Sequence, residues 1–168
     1  MDRDEDFSAY AEARWSALVR SAVFLGCSVE EAQDLVQTAL LKCYVGWSRV
    51  ARADDRDAYV FRVLVNALRD SRRRRWWGER ATDEVPERGV PDATGDVDRA
   101  DAVHRALAGL SPVNRDVVVL RYFAHLSEAQ TAAALGIARG TVKSRLSRAL
   151  AQLSLDDHLL DLRGGASS

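Results

Sequence analysis

Apolar residues recur at intervals of three and four along most of the chain, a pattern that predicts helices from end to end. A first helix is expected from about Phe7 to Leu25, with Ala11, Trp15, Leu18, Val19, Ala22 and Val23 facing inward and Gly26 ending it. Ser28 opens the second helix, and Glu31 three residues later completes a capping box. Its inner stripe is Ala32, Leu35, Val36, Ala39, Leu40, Cys43 and Trp47. The opposite side holds Asp34, Gln37, Thr38, Leu41 and Val45, uncharged polar and aliphatic groups where Lys and Glu usually sit. That side is either an over-wide apolar face or a docking face for a partner helix, with Asp34 and Gln37 setting the register.

A third helix is expected from about Arg56 to Trp76. Between Ala58 and Leu68 every residue is apolar except Arg62 and Asn66, which lie four apart on one face. Tyr59, Arg69 and Arg73 extend the stripe toward the run Arg72-Arg73-Arg74-Arg75-Trp76-Trp77. One reading is a solvated face ending in a basic helix cap. The other is a nucleic-acid surface, on which Arg holds phosphates, Asn reads a base edge and aromatics stack on unpaired bases.

The C-terminal part predicts a helix around Val97 to Leu107, then a new start at Ser111-Pro112, with Ser as N-cap and Pro just inside. Val113 to Phe123 contains Val117-Val118-Val119-Leu120, which has strand character, but the start signal favours helix. Ser127 and Gln130 form a second capping box, Gly136 supplies a turn, and Ile137 plugs the space between two helices. The last helix is expected to turn Val142, Leu146, Ala149, Leu150 and Leu153 inward, leaving Thr141, Lys143, Ser144, Arg145, Ser147 and Arg148 outside. Arg139 to Arg148 holds four basic residues and no acid, the composition of a recognition helix.

Composition supports this all-helical reading, with 26 Ala against 3 Pro. The 168 residues carry 24 Lys+Arg and 25 Asp+Glu, a net of −1 that argues against a simple cationic nucleic-acid binder. Resolved by segment, the balance changes. Residues 1–77 hold 13 basic and 12 acidic groups, residues 78–99 hold 3 and 7, and residues 100–168 hold 8 and 6. Near-neutrality therefore hides an acidic middle between two mildly basic ends. The middle lacks helical periodicity, reads as a linker, and would extend roughly 70–80 Å if stretched. No apolar run approaches the ~20 residues of a membrane span, and the acidic start Met1-Asp2-Arg3-Asp4-Glu5-Asp6 is unlike a secretory signal. A cytoplasmic protein without membrane insertion is expected. Cys27 and Cys43 stand alone, and His104, His125 and His158 are scattered, so no catalytic, cofactor-binding or metal-ligating set is expected.

The pieces Ala32-Gln33-Asp34-Leu35-Val36-Gln37, Ala58 to Asn66, Leu120-Arg121-Tyr122, Leu135-Gly136-Ile137 and Gly140 to Leu150 occur in an order and spacing that resembles bacterial RNA polymerase sigma factors of the extracytoplasmic-function group. The resemblance runs from about Phe7 to Leu153, apart from the linker. It implies an alternative sigma factor, not an enzyme, that binds core RNA polymerase and directs promoter recognition, melting and initiation at a specific regulon. It implies polymerase contacts at Asp34, Leu35, Gln37 and Leu41. It also implies capture of the melted minus-ten element by the loop Ser48 to Asp57 and the stripe Tyr59, Arg62, Asn66, Arg69 and Arg73. Duplex minus-thirty-five DNA would be read by Thr141, Lys143, Ser144, Ser147 and Arg148, and an anti-sigma factor is a candidate partner. Three positions depart from the family pattern: Thr38 stands where an acid is usual, Gln130 where Glu is common, and Ala138 where Ser or Thr would cap the recognition helix for ~1 kcal/mol.

The expected organisation is all-α: an N-terminal three-helix bundle over 1–77, an acidic flexible linker over 78–99, a helix-turn-helix domain over 100–162 and a disordered tail over 163–168. The alternative is a free-standing dimeric helix-turn-helix repressor, which would match a two-fold operator but leaves the Arg62/Asn66 stripe and the linker without a purpose.

Overall fold

The computed structural model describes residues 2–78 and 95–155, with the side chains of 95–98 left aside. Among these residues every regular element is helical. Helix α1 (Arg3–Phe24) begins four residues before the expected start, its first turn carrying Asp4, Glu5 and Asp6 against the positive end of the helix dipole. Helix α2 (Val29–Val45) opens on the anticipated capping box: the Ser28 hydroxyl accepts from the Glu31 amide and the Glu31 carboxylate accepts from the Ser28 amide. A short helix not anticipated by the three-helix reading, α3 (Trp47–Arg52), follows Gly46. Trp47 therefore belongs to α3 rather than to the stripe of α2, although it is buried as expected. Helix α4 (Arg56–Gly78) starts after Asp55, whose carboxylate accepts from the Ala58 amide at 3.0 Å.

These helices enclose Leu18, Leu35, Val36, Leu40, Trp47, Val50, Phe61 and Leu64. Helix α2 lies between α1 and α4, so its Ala32, Ala39 and Cys43 are buried while its outer side stays free. Trp47 anchors one end. Its ring meets Phe7 and Tyr10, and its indole N–H donates to Asp6 at 2.9 Å. Trp15, expected inward, is 36% exposed.

The C-terminal module is built on α5 (Gly95–Ala108), α6 (Pro112–Val118), α7 (Glu128–Leu135) and α8 (Arg139–Ser154). The linker expected over 78–99 is shorter at both ends, since Gly78 closes α4 and Gly95 to Arg99 belong to α5. Its remainder, 79–94, lies outside the described residues, as does the tail expected over 163–168. Ser111 caps α6 with Pro112 at its first position. The strand-like run is helix, and its last part, Val119–Phe123, widens into a π-helical turn. Val117, Val118, Val119 and Leu120 are all buried because neighbours cover every side of this segment: α8 and α7 from its own module, α1 from the other. Gly136 ends α7 in the left-handed region at φ 66°, where a side chain would be strained. In α8, Val142 and Ala149 are buried, whereas Leu150, expected inward, is 40% exposed. Ala138 sits in cap geometry but offers no side-chain bond.

The buried residues of both modules form one continuous cluster, with α7 packed along α4 and the π turn against α1.

Candidate nucleic-acid interface

Three surfaces gather the residues singled out in the sequence. On α2, Asp34, Gln37, Thr38 and Leu41 are exposed, Leu41 by 63%, and Val45 beyond them by 76%. Leu35 is the exception among the expected polymerase contacts: at 8% exposure it belongs to the core and holds α2 in place instead. A groove runs along each flank of this ridge. One, of about 560 Å³, is lined by Phe7, Ala11, Trp15, Gln37, Leu41 and Tyr44. The other, of about 590 Å³, is lined by Cys27, Asp34, Thr38, Arg72, Arg74 and Arg75. A ridge of mixed polarity between two grooves matches the relief of a packed helical pair. Cys27 and Cys43 are buried thiols pushed up to about 11 by burial, so they stay protonated and inert at neutral pH.

On α4, the apolar side fills the core and leaves Arg62, Asn66 and Arg73 exposed, with Tyr59 half-buried beside them. The helix ends in exposed Arg73, Arg74 and Arg75 and in Trp76 and Trp77, which are 85% and 82% exposed. Arg69, expected on the same stripe, is already engaged: its Nη2 donates to the Leu135 carbonyl at 2.8 Å, at the end of α7. The start of α4, with the Asp55 that precedes it, is held from both modules. Asp55 accepts from Gln130 Nε2 at 2.8 Å, and Asp57 accepts from the Tyr10 hydroxyl at 2.7 Å and pairs with Arg14 at 3.1 Å.

On α8, Lys143, Ser144, Ser147 and Arg148 are exposed and Thr141 is half-buried. The turn Gly136-Ile137-Ala138 sets α8 against α7, which gives the two helices a helix-turn-helix arrangement. Sequence reasoning missed Glu128. Its Oε1 lies 3.3 Å from Arg139 Nε and 3.8 Å from Lys143 Nζ, so the first turn of α7 shields two cations of α8.

It also missed a charged cluster between the modules. Arg72 Nη2 donates to the Leu25 carbonyl at 2.7 Å, and its Nη1 lies 4.0 Å from Asp116 Oδ2. The Asp116 side chain is 13% exposed and its Oδ1 has no partner. Burial raises its pKa, opposed by Arg72, Arg115, Arg69 and Arg145. Burial likewise lowers that of Arg115, whose guanidinium packs against Gly26. The available signal was the pair Arg115-Asp116 immediately before four apolar residues. Among the described residues no group of His, Cys, Asp and Glu could hold a metal ion, and no helix is long and apolar enough to cross a membrane.

Comparison with known proteins bears on all three surfaces. Residues 7–78 match the family model Sigma-70 region 2, and residues 100–153 match Sigma-70, region 4. The chain is 42% identical over 165 residues to an RNA polymerase sigma-E factor of Streptomyces avermitilis, spanning 94% of this chain and 89% of that protein. It is 35% identical over 150 residues to the ECF RNA polymerase sigma factor SigL of Mycobacterium tuberculosis, spanning 83% and 82%. Among solved structures, the sigma factor RpoE in complex with the anti-sigma factor NepR from Bartonella quintana superposes with a TM-score of 0.75 at 30% identity, over 89% of this chain and 94% of that one.

Proposed function

The chain belongs to the extracytoplasmic-function group of RNA polymerase sigma factors, and on that premise we propose how its surfaces divide the work of starting transcription. It is an alternative sigma factor that binds core RNA polymerase and directs promoter recognition, melting and initiation. The exposed ridge of α2, carried by Asp34, Gln37 and Leu41, docks on a coiled coil of the polymerase, with Leu35 supporting it from beneath. Arg62, Asn66 and Arg73, with Tyr59 beside them, take the melted single strand. Capture of an unstacked base near Asn66 offsets the few kcal/mol of unpairing. Lys143, Ser144, Ser147 and Arg148 read the upstream duplex, with Thr141 at the start of the same helix. The reaction itself is the polymerase's, and the factor works where the polymerase is, in the cytoplasm. An anti-sigma factor is a further expected partner, because the RpoE neighbour was solved with one bound.

The observation that carries this division is the exposure of two cationic helix faces, α4 and α8, on modules matching two different sigma regions. Each face has few cations, so free affinity for DNA is modest and falls steeply with salt. Docking on the polymerase supplies the effective concentration that neither reader has alone.

Paired variants separate the roles. Asp34→Ala with Gln37→Ala weakens co-purification with core polymerase, while Lys143→Ala with Arg148→Ala leaves it intact and lowers transcription from promoters that depend on the upstream element. Asn66→Ala preserves both binding steps and lowers the yield of open complex, read by permanganate reactivity of unpaired thymines. If all three variants fail at the same step, the division is wrong.

A further inference from the structure

Helix α1 carries Asp6, Tyr10 and Arg14 four residues apart, so the three share one face. All three are half-buried, and together they make a polar rail against the stretch of chain between α2 and α4. Asp6 Oδ2 accepts from the Trp47 indole at 2.9 Å, and its Oδ1 accepts from Arg56 Nη1 at 3.1 Å. The Arg56 guanidinium also lies over the Trp47 ring, 5.6 Å from its centre. One turn along α1, the Tyr10 hydroxyl donates to Asp57 Oδ1 at 2.7 Å while its ring packs 5.4 Å from that of Trp47. A turn further, Arg14 Nη2 pairs with Asp57 Oδ2 at 3.1 Å. Residues 48–55 are therefore bracketed, by Trp47 on one side and by Arg56 and Asp57 on the other, with both brackets fastened to α1. Between them Ser48, Arg49, Arg52 and Asp54 are exposed. All four carboxylate oxygens of Asp6 and Asp57 are engaged by internal donors, so neither acid stands unpaired where a polyanion would approach.

Building on the strand-capture assignment above, on which this rests, we propose that Asp6, Tyr10 and Arg14 are positioning residues for that capture. They hold residues 48–57 in the conformation that meets the melted strand, acting through Trp47, Arg56 and Asp57 without touching DNA themselves. This gives α1, which carries none of the proposed DNA contacts, a part in promoter melting. A segment ordered before the strand arrives loses less freedom on binding, and the difference appears as affinity. Each hydrogen bond of the rail has a carboxylate as acceptor, so each weighs more than a bond between neutral groups. Tyr10 is the most selective handle, because its hydroxyl can be removed while its ring stays against Trp47.

The test compares Tyr10→Phe with the unmodified chain, each assembled with core polymerase. Both are titrated with a fluorescent single-stranded oligonucleotide carrying the downstream motif of a promoter that the unmodified holoenzyme transcribes. Tyr10→Phe should weaken strand binding about five- to tenfold, the loss of one partly exposed hydrogen bond, and leave co-purification with core unchanged. In an Asp57→Ala background the same change should add nothing, because the hydroxyl acts only through that carboxylate. Val36→Ala, at a buried apolar position of α2, lowers the stability of the same bundle without breaking the rail and should leave strand binding unchanged. Hydrogen exchange of the free chain gives a second measurement that needs no DNA. Residues 48–57 should exchange about fivefold faster in Tyr10→Phe, with α2 unaffected. Equal strand affinity in Tyr10→Phe, an undiminished effect in the Asp57→Ala background, or a matching loss in Val36→Ala overturns the proposal, as does unchanged exchange over 48–57. If the unmodified holoenzyme binds no strand, or Asn66→Ala binds it equally well, the strand-capture assignment fails instead, and exchange still decides the rail.

Discussion

Glu128→Gln isolates how the helix-turn-helix holds its own cations in check. The Glu128 carboxylate lies 3.3 Å from Arg139 Nε and 3.8 Å from Lys143 Nζ, and the two cationic side chains are 67% and 71% exposed. Exposed pairs of this kind are worth ~0.2–1 kcal/mol each. Both share one oxygen, so the releasable total is about 1 kcal/mol, close to fivefold in affinity. Gln keeps the shape and can still accept from Arg139, but it removes one negative charge beside the face that meets DNA. Duplex binding should tighten about two- to fivefold at low salt. If the freed charge finds a phosphate, the slope of log K against log salt becomes steeper by ~0.9. Loss of an acid from the first turn of α7 should lower stability by ~0.3–1 kcal/mol, since Glu128 faces the positive end of the helix dipole. The assay is fluorescence anisotropy with a promoter duplex over a series of salt concentrations, beside urea denaturation of the same samples. Unchanged affinity with an unchanged slope would refute the reasoning, because Lys143 and Arg139 would then never have been restrained.

Three further outcomes follow from the geometry. Trp47→Ala removes a side chain that is 1% exposed, meets Phe7 and Tyr10 and donates to Asp6, so urea denaturation should show a loss of ~3–5 kcal/mol. Ala138→Ser places an acceptor at a cap already in extended geometry (φ −71°, ψ 152°), and thermal denaturation should show a gain of ~1 kcal/mol, a rise of about 2–4 °C. Hydrogen bonds from Trp47 and Arg56 hold the Asp6 carboxyl below its usual pKa. Its contribution is present above the unfolded carboxyl value near ~4 and is lost as pH falls through the lower folded value. Asp6→Asn should therefore flatten the acid limb of a plot of stability against pH and leave its slope at neutral pH unchanged.

Most local structure was legible because short-range signals dominate it. Ser28 with Glu31, Ser127 with Gln130, Ser111 with Pro112, and Gly136 mark helix ends through hydrogen bonds or backbone freedom contained within a few residues. The exposed side of α2 was legible from the same periodicity that buries its other side. What escaped prediction depends on contacts far apart in the chain. Helix α3 looked like the end of α2 because Trp47 continues the apolar spacing, whereas Gly46 interrupts the helix before it. Val117 to Leu120 was rightly expected to be helix from its start signal, but nothing local says that a second module covers the remaining side of that helix. Arg69 is correctly placed on the α4 stripe, but only the fold reveals the Leu135 carbonyl it has found. Asp116 and Glu128 were not singled out in the sequence; one is buried between arginines and the other sits against α8.

The central claim is that this chain confers promoter specificity on a polymerase through two separate readers. Its most direct test mixes the purified protein with sigma-free bacterial core polymerase and a library of promoter fragments, then sequences the run-off transcripts. The account predicts transcripts from a subset of fragments that share two motifs about one promoter spacing apart, with Lys143→Ala and Arg148→Ala relaxing the upstream motif alone. Tight binding to duplex DNA without polymerase, together with no specific transcripts when core is added, would contradict it.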